Sequence, residues 1–401
     1  MHRRLFLAST AAALGTARRV PAISRFQGRL DEFITDKMRR DHIPGVTAAL
    51  VRGDRIAWSN SYGFADLTRR TPMSLDTIQN IGSISKTFAT TALLQMVEAR
   101  KLGLDDPLSR HLPFPVENPN HPGVPITIRQ LLTHRSSLRD GPAYARRYAC
   151  GDPTLGLGPW LEGYFTPGGV DYDAKGNFHP FAPDGGWDYC NLAYGLVGHL
   201  VERVSGTPFE DYCRAAIWGP LGMPETSWYL AKVDQARHLV PYTYVGGGAA
   251  RGPSWGGVAQ GVVHPPNAAP PPPIDGFQAN CPYNHPNYPD GFLRTSVRQL
   301  ARYLSGYLAG GVLEGRRFLA EESVRAMLTQ QRLEGRRIQG LTWYASSTPV
   351  RGEVAWGHGG SDPGINTDIR LLVKQRIGAI AFLNTNGVRP DEITEKILAT
   401  A

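Results

Sequence analysis

No apolar run in this chain reaches the roughly 18 residues that would carry a helix across a bilayer, so no segment reads as a membrane span. Cysteine is scarce. Cys150, Cys190, Cys213 and Cys281 show neither a CxxC nor a Cys/His spacing, which argues against a disulfide-built miniature scaffold or a structural zinc. One disulfide could form if the protein is exported, but the spacing does not require it. Basic blocks are missing too. The net charge is +8, yet no Lys/Arg run exceeds two residues and no stripe of bases alternates with aromatics, so a nucleic-acid partner is not expected.

Glycine and proline, by contrast, are plentiful. There are 45 and 32 of them in 401 residues, which implies many turns and at least one long irregular stretch. Hydrophobic residues make up 41% of the chain, enough for a sizeable core. The first residues have another character. His2-Arg3-Arg4-Leu5-Phe6-Leu7 precedes a short apolar run ending in Gly15-Thr16-Ala17. A basic start, a short apolar stretch and small residues after it read as an export signal of twin-arginine type over about residues 1–25. Cleavage after Ala17 would remove Arg3 and Arg4 and lower the charge from +8 to +6. The expected location is therefore periplasmic or secreted.

Periodicity divides the remainder, residues 26–401, into three parts. Phe26, Leu30, Phe33, Ile34 and Met38 share one helical face, and Val46–Val51 and Arg55–Tyr62 read as a hairpin across Arg52-Gly53-Asp54. A strong helix follows from about 82 to 99. Further helical patterns occur at 127–133, 191–204, 208–217, 296–309 and 320–330. Toward the C-terminus the period shortens to two: Gly340–Ser346, Val354–His358, Asp368–Val373 and Ile377–Asn384 read as strands, and Pro390–Ala399 as a closing helix. Strands at both ends with helices between predict one antiparallel sheet built from the two termini, with flanking helices and an α-rich insert over about 100–295. Residues 245–291, with Pro270–Pro273, cannot form a helix or a central strand, and read equally as a surface excursion or as a wall of a site.

Three places carry chemistry. Ser83-Ile84-Ser85-Lys86 opens the strong helix, and a Ser and a Lys three apart share a face. The helix start offers unpaired N–H groups to a developing oxyanion, and an apolar setting would lower the lysine pKa until the amine could take the serine proton. Tyr189-Cys190-Asn191 opens another helix and can present a phenol and an amide to one side. Trp356-Gly357-His358-Gly359-Gly360-Ser361 lies on a candidate strand whose glycines permit close backbone approach to a ligand. Gly252-Pro253-Ser254-Trp255-Gly256 matches a lipase-type Gly-x-Ser-x-Gly, but it lies in the Gly/Pro-rich stretch rather than between a strand and a helix.

Ser-x-x-Lys at 83–86, Tyr-x-Asn at 189–191 and His-x-Gly at 358–360, in this order, resemble the signature of the penicillin-recognising serine hydrolases. That group includes class C β-lactamases, D-alanyl-D-alanine carboxypeptidases, D-aminopeptidases and family VIII esterases. Ile126–His134, Pro220-Leu221-Gly222-Met223 and Gly291-Phe292-Leu293 are similar as well, and the likeness runs from about residue 28 to 398. The resemblance implies a β-lactamase-like α/β fold and hydrolysis of an ester or amide through an acyl-enzyme. Ser83 would be the nucleophile, Lys86 its base and Tyr189 the proton relay to the leaving group. Asn191, His358, Gly360 and Ser361 would hold substrate, with the N–H groups of Ser83 and Ser361 as the oxyanion hole. No metal or cofactor is implied, and the partner would be a small ester, amide or peptide.

The chain departs from the lactamase pattern at His358, which stands where Lys-Thr-Gly would supply a fixed charge. An ordinary imidazole titrates near pH 6.5, so selectivity for carboxylate-bearing substrates would rise as the pH falls through that value. This favours a carboxylesterase or D-amino-acid peptidase over the alternatives: a β-lactamase, an acyltransferase, or a sensor that acylates once.

Overall fold

The computed structural model describes residues 22–247 and 262–401. Most of the expected export signal, and the whole of Gly252–Gly256, lie outside the described residues.

Helix α1 (Ala22–Arg40) leads into the hairpin β1 (Gly45–Arg52) and β2 (Arg55–Asp66), followed by the short β3 (Thr71–Pro72). Gly53 takes φ +60°, the left-handed conformation that a two-residue turn between Arg52 and Arg55 demands. Next come α2 (Ser85–Glu98), α3 (Leu157–Phe165), α4 (Leu192–Ser205), α5 (Phe209–Cys213), α6 (Val297–Leu308) and α7 (Glu321–Met327). The chain then forms β4 (Arg332–Glu334), β5 (Arg337–Gln339), β6 (Tyr344–Ser346), β7 (Trp356–Asp362), β8 (Ile365–Leu372) and β9 (Ile377–Leu383), and closes with α8 (Asp391–Thr400). The strands make one nine-stranded sheet in the order β4-β5-β6-β7-β8-β9-β1-β2-β3, antiparallel at every pairing. The two ends of the chain thus meet at β9–β1, where Val46 faces Leu383 and Arg52 faces Ile377.

Strand alternation assigns each face its partner. Ala48 and Leu50 of β1, with Ala379 and Ala381 of β9, pack against Leu30 and Ile34 of α1 and Ile393 and Ile397 of α8. Ala49, Val51, Ile380 and Phe382 point the other way, into the core shared with α2, α6 and the insert. Lys37 is buried and bonds both Asp41 and Glu392 at 2.7 Å, tying α1 to α8.

Helix α2 is the centre of the second core. It is buried all round, as a helix with little polar surface must be. Its threonines satisfy themselves locally: Thr90 Oγ1 donates to the Lys86 carbonyl (3.0 Å) and Thr91 Oγ1 to that of Thr87 (2.8 Å). The insert returns at Arg294–Thr295, which pairs with Gln79–Asn80 immediately before α2. The C-terminal end of the insert is therefore held beside the segment that leads into the Ser83 turn.

Several expected elements change extent. The strand expected at Val354–His358 starts at Trp356 and continues through its glycines to Asp362, because β8 pairs with it along that length. Of Gly340–Ser346 only Tyr344–Ser346 is strand. The helix at 208–217 gives way after Cys213 to a π-turn at Arg214–Trp218. Helix α3 and the β4–β5 hairpin were not expected. Cys150 and Cys281 form a disulfide across the insert, while Cys190 and Cys213 are buried thiols. The stretch 245–291 is both things the sequence allowed. Pro270–Pro273 is exposed, whereas Asp290 and Gly291 line the cleft that holds Ser83.

Candidate active site

Ser83 lies in a 3₁₀ turn, Gly82–Ile84, that runs directly into α2. Gly82 takes φ +54°, and a Cβ there would stand 2.8 Å from the Ser361 backbone nitrogen. Only glycine lets this turn lie against β7. Three residues on, the fully buried Lys86 places Nζ 3.0 Å from Ser83 Oγ, 2.6 Å from Asn191 Oδ1 and 2.8 Å from the Asp290 carbonyl oxygen. An amide oxygen and a carbonyl can only accept. A neutral amine therefore directs its two N–H bonds at them and turns its lone pair to Ser83. Burial pushes the Lys86 pKa down, against the pull of Asp290, Asp140 and Asp362.

Asn191 is held in that orientation by a residue the sequence reading missed. Asp140 accepts from Asn191 Nδ2 (2.8 Å), from the Asn191 backbone N–H and from the Leu192 N–H (3.0 Å), capping α4 from outside. Because Nδ2 must face this carboxylate, Oδ1 must face Lys86. Asp290 is the second omission. Its carboxylate stands 3.7 Å from Lys86 Nζ and accepts from the Tyr144 hydroxyl (2.8 Å) and Asn287 Nδ2 (3.1 Å); burial raises its pKa to about 6. Asp362 accepts from Tyr148 and Asn80, and burial raises it to about 7. Neither acid belongs to a short motif, so only spatial proximity could reveal them.

Tyr189 stacks on His134 with ring centres 4.4 Å apart, and its ring lies 4.9 Å from Lys86 Nζ. Its hydroxyl is buried without a hydrogen bond of regular geometry. Burial raises its pKa well above the usual phenol value, and the neighbouring Ser83 hydroxyl works against that rise.

His358 is almost fully buried. Its Nδ1 lies 2.7 Å from the Gly359 carbonyl, which fixes Nδ1 as the protonated nitrogen and leaves Nε2 an acceptor. Burial lowers its pKa to about 3, helped by the charges of Lys86 and Arg337. The expected charge switch near neutrality is thereby corrected: His358 is neutral from pH 5 upward. Of the glycines, Gly359 lines the cleft, whereas Gly360 serves the packing of the turn. A Cβ on Gly360 would lie 2.1 Å from the Ile81 carbonyl oxygen, so its close approach is to the chain's own turn rather than to a ligand.

The cleft is lined by Ser83, Tyr189, Asn191, His358, Gly359 and Ser361 among others. Lys86 lies behind Ser83, and Gly360 behind the wall. Ser85 is no rival nucleophile, since its Oγ accepts from the Leu293 N–H at 3.1 Å. Among the described residues, no group of three or more His, Cys, Asp or Glu side chains is arranged to hold a metal ion.

A family profile described as Beta-lactamase matches residues 30–401. Esterase EstB of Burkholderia gladioli is 32% identical over 248 residues, covering 58% of this chain and 59% of that protein. Penicillin-binding protein 4* of Bacillus subtilis is 27% identical over 200 residues, covering 48% and 39%. The matches thus span between about two fifths and three fifths of these relatives. The solved D-amino acid amidase from Ochrobactrum anthropi SV3 superposes with a TM-score of 0.70 at 20% identity, covering 94% of this chain and 98% of that one. A class C beta-lactamase gives 0.68 at 18%, with the same coverage. At such identities these two likenesses establish the fold alone. The profile match covers nearly the whole chain, and the chain belongs to the beta-lactamase family of serine hydrolases.

Proposed function

We propose that the protein hydrolyses an ester or amide through an acyl-enzyme on Ser83, as a carboxylesterase or D-amino-acid peptidase. The observation that carries this reading is the buried Lys86 amine, 3.0 Å from Ser83 Oγ, with its other hydrogens claimed by Asn191 and Asp290. Ser83 Oγ attacks the carbonyl carbon while its proton moves to Lys86 Nζ. The charge on the former carbonyl oxygen is met by the Ser83 and Ser361 N–H groups. The proton then passes by way of Tyr189 to the leaving group, whose bond to the carbonyl breaks. Water attacks the acyl-enzyme along the reverse path, and Ser83 recovers its proton.

The relative named as an esterase supports the substrate class. The neutral His358 supports uncharged acyl groups over obligately anionic ones. The Cys150–Cys281 disulfide supports an oxidising compartment, in keeping with the leader.

Labelling by a serine-directed phosphonate, read by intact mass, tests the nucleophile. Ser83→Ala abolishes both labelling and turnover of p-nitrophenyl esters, while Ser254→Ala keeps both. Labelling that survives Ser83→Ala and disappears with Ser254→Ala would overturn the mechanism.

A further inference from the structure

The two N–H groups assigned to the oxyanion belong to separate pieces of chain. Ser83 offers its own from the turn before α2, and Ser361 from the end of β7. Such donors stabilise the developing charge only at hydrogen-bond distance, roughly 3 Å from where the oxygen will sit. The spacing between turn and strand therefore matters to the rate. Asn80 and Asp362 bridge it. Asn80 Oδ1 accepts from the Gly82 N–H (2.8 Å), and Asn80 Nδ2 donates to Asp362 Oδ2 (3.2 Å). Gly82 adjoins Ser83, and Asp362 adjoins Ser361.

Asp362 has a second partner. Its Oδ1 accepts from the Tyr148 hydroxyl (2.8 Å), which lies in the insert, two residues before the disulfide-bonded Cys150. One carboxylate thus joins the Ser83 turn, β7 and the insert, and both partners donate to it, as an acceptor-only group requires. Asp362 and Asn80 are buried, so a partner lost from either is not readily replaced by water. Thr367 Oγ1 supports the turn from β8, donating to the Ile81 carbonyl oxygen at 2.7 Å. That bond holds the residue before Gly82, whereas the Asn80–Asp362 pair reaches across to the neighbour of Ser361.

We propose that Asp362 is a positioning residue of the oxyanion hole, acting through Asn80 to set the Ser83 N–H against the Ser361 N–H. It touches neither the substrate nor the reacting atoms. The inference rests on Ser83 as nucleophile and adds the group that aligns the two donors in that reaction.

The test is steady-state hydrolysis of p-nitrophenyl butyrate at about pH 8.5, with thermal unfolding recorded for every variant. Asp362→Ala should lower kcat about 10- to 100-fold while KM stays within about twofold, part of the cost of losing one oxyanion donor. Asp362→Asn should keep most of kcat, because its Oδ1 can accept from Asn80 while its Nδ2 donates to the Tyr148 oxygen. Asn80→Ala should match Asp362→Ala, and the double variant should lose little more than either, since the two side chains act as one unit. An unchanged kcat in Asp362→Ala, a rise in KM with kcat retained, or losses that multiply in the double variant would overturn the proposal. Should Asp362→Ala not fold, Asn80→Asp carries the test. It keeps the bond to Gly82 but sets two carboxylates face to face, and adding Asp362→Asn should restore the kcat it loses. No loss, or no recovery, would equally refute the clamp. Phosphonate labelling of Ser83 in the wild type separates the failures. Its absence counts against the nucleophile, whereas labelling with an unaltered kcat in the variants counts against Asp362 alone.

Discussion

Lys86 must be neutral to accept a proton, and Asp290 is the nearest charge that opposes this. Its carboxylate lies 3.7 Å from Nζ. At an effective dielectric constant of about 20, a pair of unit charges at that distance interacts by ~4.5 kcal/mol, or about three pK units. Asp290→Asn keeps the shape. Asn287 Nδ2 can still donate to the amide oxygen, and the Tyr144 hydroxyl turns from donor to acceptor for the new NH₂. Removing the anion stabilises the neutral amine, so the Lys86 pKa falls. Asp140 and Asp362 remain and the site relaxes, so a downward shift of about 1–3 units is expected. The assay is kcat/KM for a neutral p-nitrophenyl ester from pH 5 to 10, whose acid limb reports the base of the free enzyme. The limb should move to lower pH, leaving the variant closer to its plateau at pH 6 than the parent is to its own. An unmoved or upward-moving limb would refute the assignment of Lys86 as the base. So would a limb near pH 6 that simply vanishes, because it would then belong to the Asp290 carboxyl, which sits at about 6.

Other expectations follow from the same geometry. Lys86→Arg should lose roughly 10²–10⁴-fold in kcat while unfolding cooperatively, because a guanidinium cannot take the serine proton; a near-normal rate would show that the amine is not the base. Gly360→Ala should cost most of the activity, since its Cβ would stand 2.1 Å from the Ile81 carbonyl oxygen and 2.3 Å from Thr367 Oγ1, forcing β7 away from the Ser83 turn. Gly359→Ala meets only ordinary contacts, none nearer than 3.4 Å, and serves as the control in the same kinetic assay. Replacing Cys150 and Cys281 by Ser should lower stability to urea by about 2–4 kcal/mol, because the bridge closes a loop of 131 residues in the unfolded chain. An unchanged midpoint would mean that the unfolded insert is already constrained.

The short-range features of the molecule were legible in the amino-acid order. Alternation marked β1, β2, β8 and β9, the helical face of α1 was spaced correctly, the closing helix was placed, and Ser83 and Lys86 meet because three residues on a helix return to one side. Strands at both chain ends also implied a sheet closed between the termini, as β9–β1 shows. Long-range placement was another matter. Asp140 reaches Asn191 from a loop, and Asp290 and Arg337 reach the cleft from the end of the insert and an edge hairpin, at sequence distances of 54, 204 and 251 residues from Lys86. No local period encodes such meetings, which depend on how the insert docks on α2 and on how β4–β5 adds to the sheet. Electrostatics followed packing rather than composition. The imidazole of His358 and the carboxyls of Asp290 and Asp362 are shifted by desolvation, and desolvation exists only once the surrounding chain has excluded water.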